Sequence, residues 1–325
     1  MRTMRVHENS EDISVLRMDG IELPAPAKGE VRLRLKASSV NFPDILMIQN
    51  KYQFKPPLPF APGMEGAGIV TALGEGVTSL AIGDEVTAAF RYGGFAEEIN
   101  VAAETCRPIP KGLDFAEASA YLAAYLTAYV ALVHRGALKR GETLLVHGAS
   151  GGVGLAAVEL GKYLGAKVIA TSASDEKLKI VKARGADHII NVTRGFREEV
   201  KALTGGEGAD VIYDPVGGDV FDESVRCIAW NGRLLVIGFT SGRIPTLPVN
   251  MPLIKGFSVV GVRAGEYGRR DPAAGKAILE AVDALAASGL IKPYICARFP
   301  LERALDAMRM LQNREVVGKV VIEIN

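Results

Sequence analysis

Residues 143–191, TLLVHGASGGVGLAAVELGKYLGAKVIATSASDEKLKIVKARGADHIIN, constrain the fold of this chain more than any other stretch. An apolar run at 144–146 enters a loop of Gly148, Ala149, Ser150, Gly151 and Gly152. Val153 and Gly154 then open a helical pattern with Leu155, Val158, Leu160 and Leu164 at apolar positions. Gly165 is a stop signal, and 168–170 form a second apolar run. The order is strand, glycine turn, helix, strand, which is the crossover that joins two parallel strands. A helix start presents backbone N–H groups and a partial positive charge, which suits a diphosphate. Glycines let the backbone turn sharply, approach the anion and pack helix on strand. In the G-x-G-x-x-G pattern Ala149 stands at the first position, and Gly151 and Gly154 fill the other two. A glycine turn without a ligand is the bland alternative, but the placement between strand and helix favours a dinucleotide site.

The position that distinguishes dinucleotides lies at the end of the second strand, about 20 residues past the glycines. An NAD enzyme wants Asp or Glu there, for the ribose hydroxyls. This chain has Ser172 within Thr171-Ser172-Ala173-Ser174. A serine neither chelates the diol nor repels a 2′-phosphate, and Lys177 could meet that phosphate as a point charge. The pattern predicts NADPH over NADH. Asp175 and Glu176 oppose it unless they serve the first turn of the next helix instead.

Further apolar runs near Ile189, at 209–213, at 233–237 and at 258–262 bring the strands to six. Six strands with crossovers make a doubly wound Rossmann sheet, with the cofactor at the carboxyl ends. The turns Val216-Gly217 and Gly238-Phe239 fall at those ends. Residues 1–120 differ: short β-prone runs at 31–36, 68–72, 85–89 and 95–101 are separated by Pro, Gly and charged residues. They predict a compact, mostly β module. Residues 115–134, rich in Ala, Leu and Tyr, predict one helix that links the two domains. Residues 272–288 and 301–312 read as helices and 317–324 as a closing strand. The expected organisation is an α/β chain: a discontinuous domain of residues 1–124 and 265–325, and a dinucleotide domain of residues 125–264.

At 325 residues the chain is long enough for two cores, and its net charge is +1 with no basic run. Nucleic acid and anionic membranes are poor partners on charge grounds. No apolar stretch approaches a membrane span, and the first residues lack the apolar centre of a signal peptide. Cys106, Cys227 and Cys296 are far apart and odd in number, so buried free thiols and a cytoplasmic location are expected. His7, His134, His147 and His188 show no ligand spacing and read as surface or cofactor-edge residues.

The run GETLLVHGASGGVGLAAVELGK resembles the signature of zeta-crystallin-like quinone oxidoreductases, a zinc-free branch of the medium-chain dehydrogenases/reductases. Ala149-Ser150, Gly151 to Gly154 and Lys162 match; Glu159 departs, because the family usually has glutamine there. The run 62–77, PGMEGAGIVTALGEGV, and Gly83 to Val86 resemble the GroES-like domain of the same family. The resemblance implies a GroES-like catalytic domain beside the Rossmann domain, with Ser150, Gly151, Gly152, Val153, Gly154, Val216, Gly238 and Phe239 at the cofactor. It also implies departures at the metal positions of zinc-dependent relatives. Asn41 stands where their cysteine would be, and Gly63-Met64-Glu65 where they have Gly-His-Glu. No zinc site is expected, which favours reduction of an activated acceptor over alcohol oxidation.

Asn41-Phe42-Pro43-Asp44 resembles the loop that lies along the nicotinamide in these enzymes. The resemblance implies Phe42 and Asp44 as cofactor neighbours, and Asn41 and Tyr52 as catalytic candidates. Tyr52 could donate to a developing oxyanion or only pack its ring, and Leu46 replaces a second family tyrosine. Thr127 matches a threonine facing the carboxamide, and Lys319 of Gly318-Lys319 a lysine that reaches the cofactor phosphates. Arg263 could bind phosphate, polarise the acceptor or be plainly solvated. In the family the strand within 255–263, KGFSVVGVR, pairs with its copy, which implies a homodimer. The implied reaction is hydride transfer from NADPH to a quinone or an α,β-unsaturated carbonyl. An enoyl- or acryloyl-thioester reductase, with Lys51 and Lys55 flanking the site, and a non-catalytic NADPH-binding protein are the alternatives.

Overall fold

The computed structural model describes all 325 residues, Met1–Asn325. The chain divides into two compact units: Met1–Ala123 with Ala286–Asn325, and Ala124–Leu285.

The first unit is built on a seven-stranded sheet. Its long central strand, Glu30–Ser39, alternates Val31, Leu33 and Leu35, all buried, with Arg32, Arg34 and Lys36. That period of two turns one face to the core. Antiparallel neighbours are Glu65–Leu73 on one side and Lys319–Glu323 on the other, and Ile295–Pro300 pairs in parallel with the latter. Glu85–Ala89 and Cys106–Pro108 extend the sheet beyond Glu65–Leu73. Register sets Ser38 opposite Gly66 and Val321 opposite Ser39. Ser39, Glu65 and Lys319 thus come together, although the first and the last are separated by 280 positions. The apolar core includes Val6, Leu33, Ile48, Phe60, Phe95, Met308 and Ile322.

The second unit holds a six-stranded parallel sheet, in the spatial order His188–Asn191, Lys167–Ser172, Thr143–Val146, Ala209–Asp214, Ile228–Val236, Ser258–Gly261. The order doubles back between the third and fourth strands of that series, the switch point where such sheets bind ligands. The central strands are apolar on both faces, as burial between helices requires: Leu144 to Val146, Val168 to Ala170 and Val211 to Tyr213 are fully buried. The last strand, Ser258–Gly261, is an open edge with mostly exposed side chains.

Two expectations change. The second boundary falls at Leu285/Ala286 rather than 264/265, because Val130, Ala264 and Ile278 share one apolar cluster within the second unit. The helix expected over 115–134 is broken into Phe115–Ala118, Leu122–Tyr129 and a π-helical turn, Val130–Arg135. Buried polar groups take the backbone at the break: the Thr87 hydroxyl donates to the Ala118 carbonyl at 2.7 Å, and Ala123 N–H donates to Glu65 at 2.9 Å. A carboxylate at a helix start is favourable, so Glu65 fixes where the second helix begins.

Candidate functional site

In the nucleotide unit the strand Thr143–Val146 runs into His147 and the glycine loop. Gly148 adopts φ 53°, a left-handed turn, and Ala149 N–H donates to Thr171 O at 2.9 Å, tying the loop to the neighbouring strand. Gly151 caps the helix Gly152–Tyr163. A Cβ on Gly154 would lie 2.3 Å from Gly148 O and 2.8 Å from Ala149 Cα, whereas one on Gly151 would meet only Gly148 O at 3.4 Å. Gly154 is therefore demanded by the close approach of loop and helix; Gly151 carries no such demand from the protein. Across the switch point, Asp214 accepts from Val216 N and Gly217 N at 2.8 and 2.9 Å, shaping the turn that carries Val216. Burial raises the Asp214 pKa against those two donors. Thr240 N–H donates to Pro215 O at 3.1 Å, which holds the turn of Gly238 and Phe239 beside it.

Beneath the loop, His147 is wholly buried. This corrects its expected place at a surface or cofactor edge. Its Nε2 lies 2.8 Å from Ser224 Oγ and its Nδ1 2.9 Å from Thr171 Oγ1. Ser224 spends its one hydroxyl proton on Val220 O at 2.6 Å, so it accepts from His147 Nε2–H, and Thr171 donates to Nδ1. Burial pushes the imidazole down to about 3. The ring is a neutral tie among three elements.

Ser150 and Ser172 are both nearly buried and share a hydrogen bond of 3.1 Å. The two acids that complicate the specificity position are engaged elsewhere. Asp175 accepts from Asn191 Nδ2 at 2.7 Å and Glu176 pairs with Lys179 at 2.8 Å, while Ser174 caps their helix. Lys177 is half-buried on the first turn of that helix. Glu159, the departure from the family pattern, bonds the Tyr125 hydroxyl and pairs with Arg184 at 2.8 Å. Tyr125 precedes Thr127 on the helix Leu122–Tyr129. Arg263 is exposed at the start of Ala264–Arg270.

In the other unit a charged cluster forms around Glu65, whose side chain is 1% exposed. Its Oε1 accepts from Ser39 Oγ at 2.6 Å, from Asn41 Nδ2 at 3.1 Å and from Lys319 Nζ at 3.1 Å; its Oε2 takes Ala123 N. Lys319 Nζ also donates to Asn41 Oδ1 at 2.6 Å. The ammonium, expected at cofactor phosphates, is thus 6% exposed and held by Glu65 and Asn41. Asn41 has its carbonyl committed to Lys319 and its amide to Glu65 and Ser39.

Asp44, expected beside the cofactor, is fully buried and accepts from Asn41 N at 2.8 Å and Gly63 N at 2.9 Å. It frames the loop: it closes the capping box of the helix Phe42–Ile48 and anchors the turn at Gly63. Burial pushes its carboxyl up to about 7, against those donors and nearby Lys319. Phe42 opens this helix, half-buried. Tyr52 packs, partly buried, against the same core as Phe54, Met64, Phe90 and Tyr92, and Phe54 stacks on Tyr92 at 6.0 Å.

A parallel dinucleotide sheet in the order found here, joined to a GroES-like β unit, defines a medium-chain dehydrogenase/reductase. The chain matches the alcohol dehydrogenase GroES-like domain over residues 27–111 and the zinc-binding dehydrogenase domain over 152–284. Within that class it belongs to the quinone oxidoreductase family. It is 43% identical to a quinone oxidoreductase-like protein 2 homolog of Nematostella vectensis, over 90% of this chain and 81% of that one. The structure of Escherichia coli quinone oxidoreductase complexed with NADPH superposes with a TM-score of 0.90 at 29% identity, covering 99% of this chain and 100% of the other. The CurK enoyl reductase superposes equally well, at 0.90 and 26% identity, over 100% and 99%. The protein is an oxidoreductase of this family with a nicotinamide cofactor.

Zinc does not fit the residues at the family's metal positions. Zinc sites use thiolate and imidazole donors. Here Asn41 offers an amide oxygen, Met64 packs into the apolar core, and Glu65 is already neutralised by an ammonium. No group of three His, Cys, Asp or Glu side chains is gathered in a metal-holding arrangement.

Proposed function

We propose that the protein is an NADPH-dependent reductase that delivers hydride to a quinone or an α,β-unsaturated carbonyl without a metal. The observation that carries the cofactor choice is the Ser150–Ser172 hydroxyl pair, with Asp175 and Glu176 turned to Asn191 and Lys179. No carboxylate claims the ribose diol, and Lys177 sits on the next turn to meet a 2′-phosphate. The cofactor, when bound, supplies the hydride. The chain's part is to hold the diphosphate at the start of Gly152–Tyr163 and to shape the carboxyl ends of the sheet through Asp214 and Gly154. Tyr52 is the candidate donor to the oxygen that gains charge.

The second reading, an enoyl-thioester reductase, draws on the likeness to the CurK enoyl reductase. Against it, Lys51, one of the two lysines flanking Tyr52, is paired with Glu11 at 2.6 Å. The proposal extends to a homodimer through the strand Ser258–Gly261, supported by its open edge and by exposed Val259, Leu253, Ile254 and Trp230 around it.

The test compares initial rates of NADPH and NADH oxidation with a quinone, an enone and a crotonyl thioester. NADPH consumed with quinone or enone, at least about tenfold faster than NADH, is the expected result. Faster turnover of the thioester moves the assignment to the second reading. Tight NADPH binding with no turnover of any acceptor makes the chain a binding protein.

A further inference from the structure

The cluster around Glu65 has the layout of a cation site with a cation already in it. Asn41 Oδ1 lies 2.6 Å and Glu65 Oε1 3.1 Å from Lys319 Nζ, and Ser39 Oγ lies 2.6 Å from that same Glu65 oxygen. Two oxygens from two separate segments of chain therefore lie on one positive atom, at the separations of charge-assisted hydrogen bonds, and the Ser39 hydroxyl supports one of them. Glu65 and Lys319 are both almost wholly buried, so water screens neither charge. The nearby Asp44 carboxyl is fully buried as well. Burying charges is tolerable only when they are paired and hydrogen-bonded, and Lys319 is the cation that pairs with Glu65.

We propose that Lys319 is a tethered cation: its ammonium occupies the place a metal ion takes in a metal-dependent site, and it keeps divalent metals out by charge and by volume. The consequence is specific. With the ammonium gone, Glu65, Asn41 and Ser39 are left as an oxygen site with a net negative charge. Such a site favours hard cations such as Mn²⁺ or Mg²⁺, or a small ammonium ion, rather than zinc. Lys319 also fixes the orientation of Asn41, because the amide oxygen accepts from the ammonium and the amide nitrogen is thereby turned to Glu65.

The experiment measures cation uptake by the full chain. Wild type, Lys319→Ala, Lys319→Arg and the double variant Lys319→Ala with Glu65→Gln are incubated with Mn²⁺ or Zn²⁺, freed of unbound metal and analysed for content. Wild type and Lys319→Arg should retain almost none. Lys319→Ala should retain close to one equivalent of Mn²⁺, and the double variant should lose it. Because Lys319→Ala leaves a buried carboxylate unpaired, its folding is followed alongside by thermal melting. Adding Mn²⁺ or methylammonium should raise its Tm, while choline at equal ionic strength should not. Metal uptake by wild type would overturn the proposal directly, with no variant needed. So would a Lys319→Ala chain that neither retains a divalent cation nor gains Tm from one or from methylammonium.

Discussion

In the nucleotide unit the polar groups beneath the glycine loop are neutral, and all of them but Ser224 (His147, Ser150, Thr171 and Ser172) lie within 26 positions of sequence. In the other unit they include an ion pair, Glu65 with Lys319, and come also from Ser39, Asn41 and Asp44. The first arrangement holds backbone in a shape. The second balances buried charge. A neutral network is lost when a partner is missing, by the cost of an unsatisfied group. A charged one is lost by an unpaired ion, which is dearer. The two units should also answer pH in opposite directions, because burial lowers the His147 pKa and raises that of Asp44.

The largest effect expected in the nucleotide unit comes from His147→Leu. It strands the Thr171 hydroxyl in a buried site and puts a branched side chain where a flat ring is packed, at a cost of about 2–4 kcal/mol. Hydrogen exchange resolved by segment should show the loss in the strands Thr143–Val146 and Lys167–Ser172. The sign of the pH effect follows from linkage. The folded imidazole, with a pKa of about 3, refuses a proton that the unfolded chain accepts near 6.5. The wild-type contribution is therefore complete above 6.5 and fades as pH falls toward 3. The variant should lack that acid-side slope. A variant whose stability falls with acid as steeply as wild type would remove His147 as its source.

Gly154→Ala should come next, at about 1–3 kcal/mol, since its Cβ must push apart Gly148 O and Ala149 Cα. Dinucleotide affinity, read by titration, should fall at least about tenfold as the loop shifts. Gly151→Ala should leave stability within about 0.5 kcal/mol, because only a 3.4 Å contact awaits it. Equal losses at both glycines would mean that the protein itself does not distinguish them.

The same contrast explains what the sequence revealed. The glycine loop was legible because its chemistry sits in consecutive backbone between a strand and a helix, and the parallel sheet followed from the spacing of apolar runs. Glu65 was visible only as part of Gly63-Met64-Glu65, and Lys319 only as part of a late Gly-Lys pair. Their meeting depends on register, which sets Ser39 opposite Val321 and Ser38 opposite Gly66. No local spacing encodes that. The broken helix over 115–134 has the same origin. Ala, Leu and Tyr favour continuity, but a hydroxyl on Thr87 and a carboxylate on Glu65 take its backbone groups from far along the chain. The burial of His147 is not legible in sequence, because a lone histidine beside a glycine loop carries no sign of the serine on a later helix that pairs with it.

The pH response that most directly opposes the two units is at Asp44. Its folded pKa of about 7 lies above the ordinary 3.8. Between those values the folded protein keeps a proton that the unfolded chain has released, so stability falls as pH rises through the window. The contribution is complete below 3.8 and gone above about 7, the reverse of His147. Asp44→Asn cannot titrate. Near pH 5 it should be less stable than wild type by about 1–3 kcal/mol, since its NH2 group cannot accept from one of the two backbone donors. Its stability should then stay flatter than that of wild type up to pH 8. Urea unfolding across that range, with exchange at Asn41 and Gly63 as the local readout, tests it. If the Asn variant declines with pH as wild type does, the two backbone donors and Lys319 already hold Asp44 ionised in the folded state, and the opposition between the units rests on His147 alone.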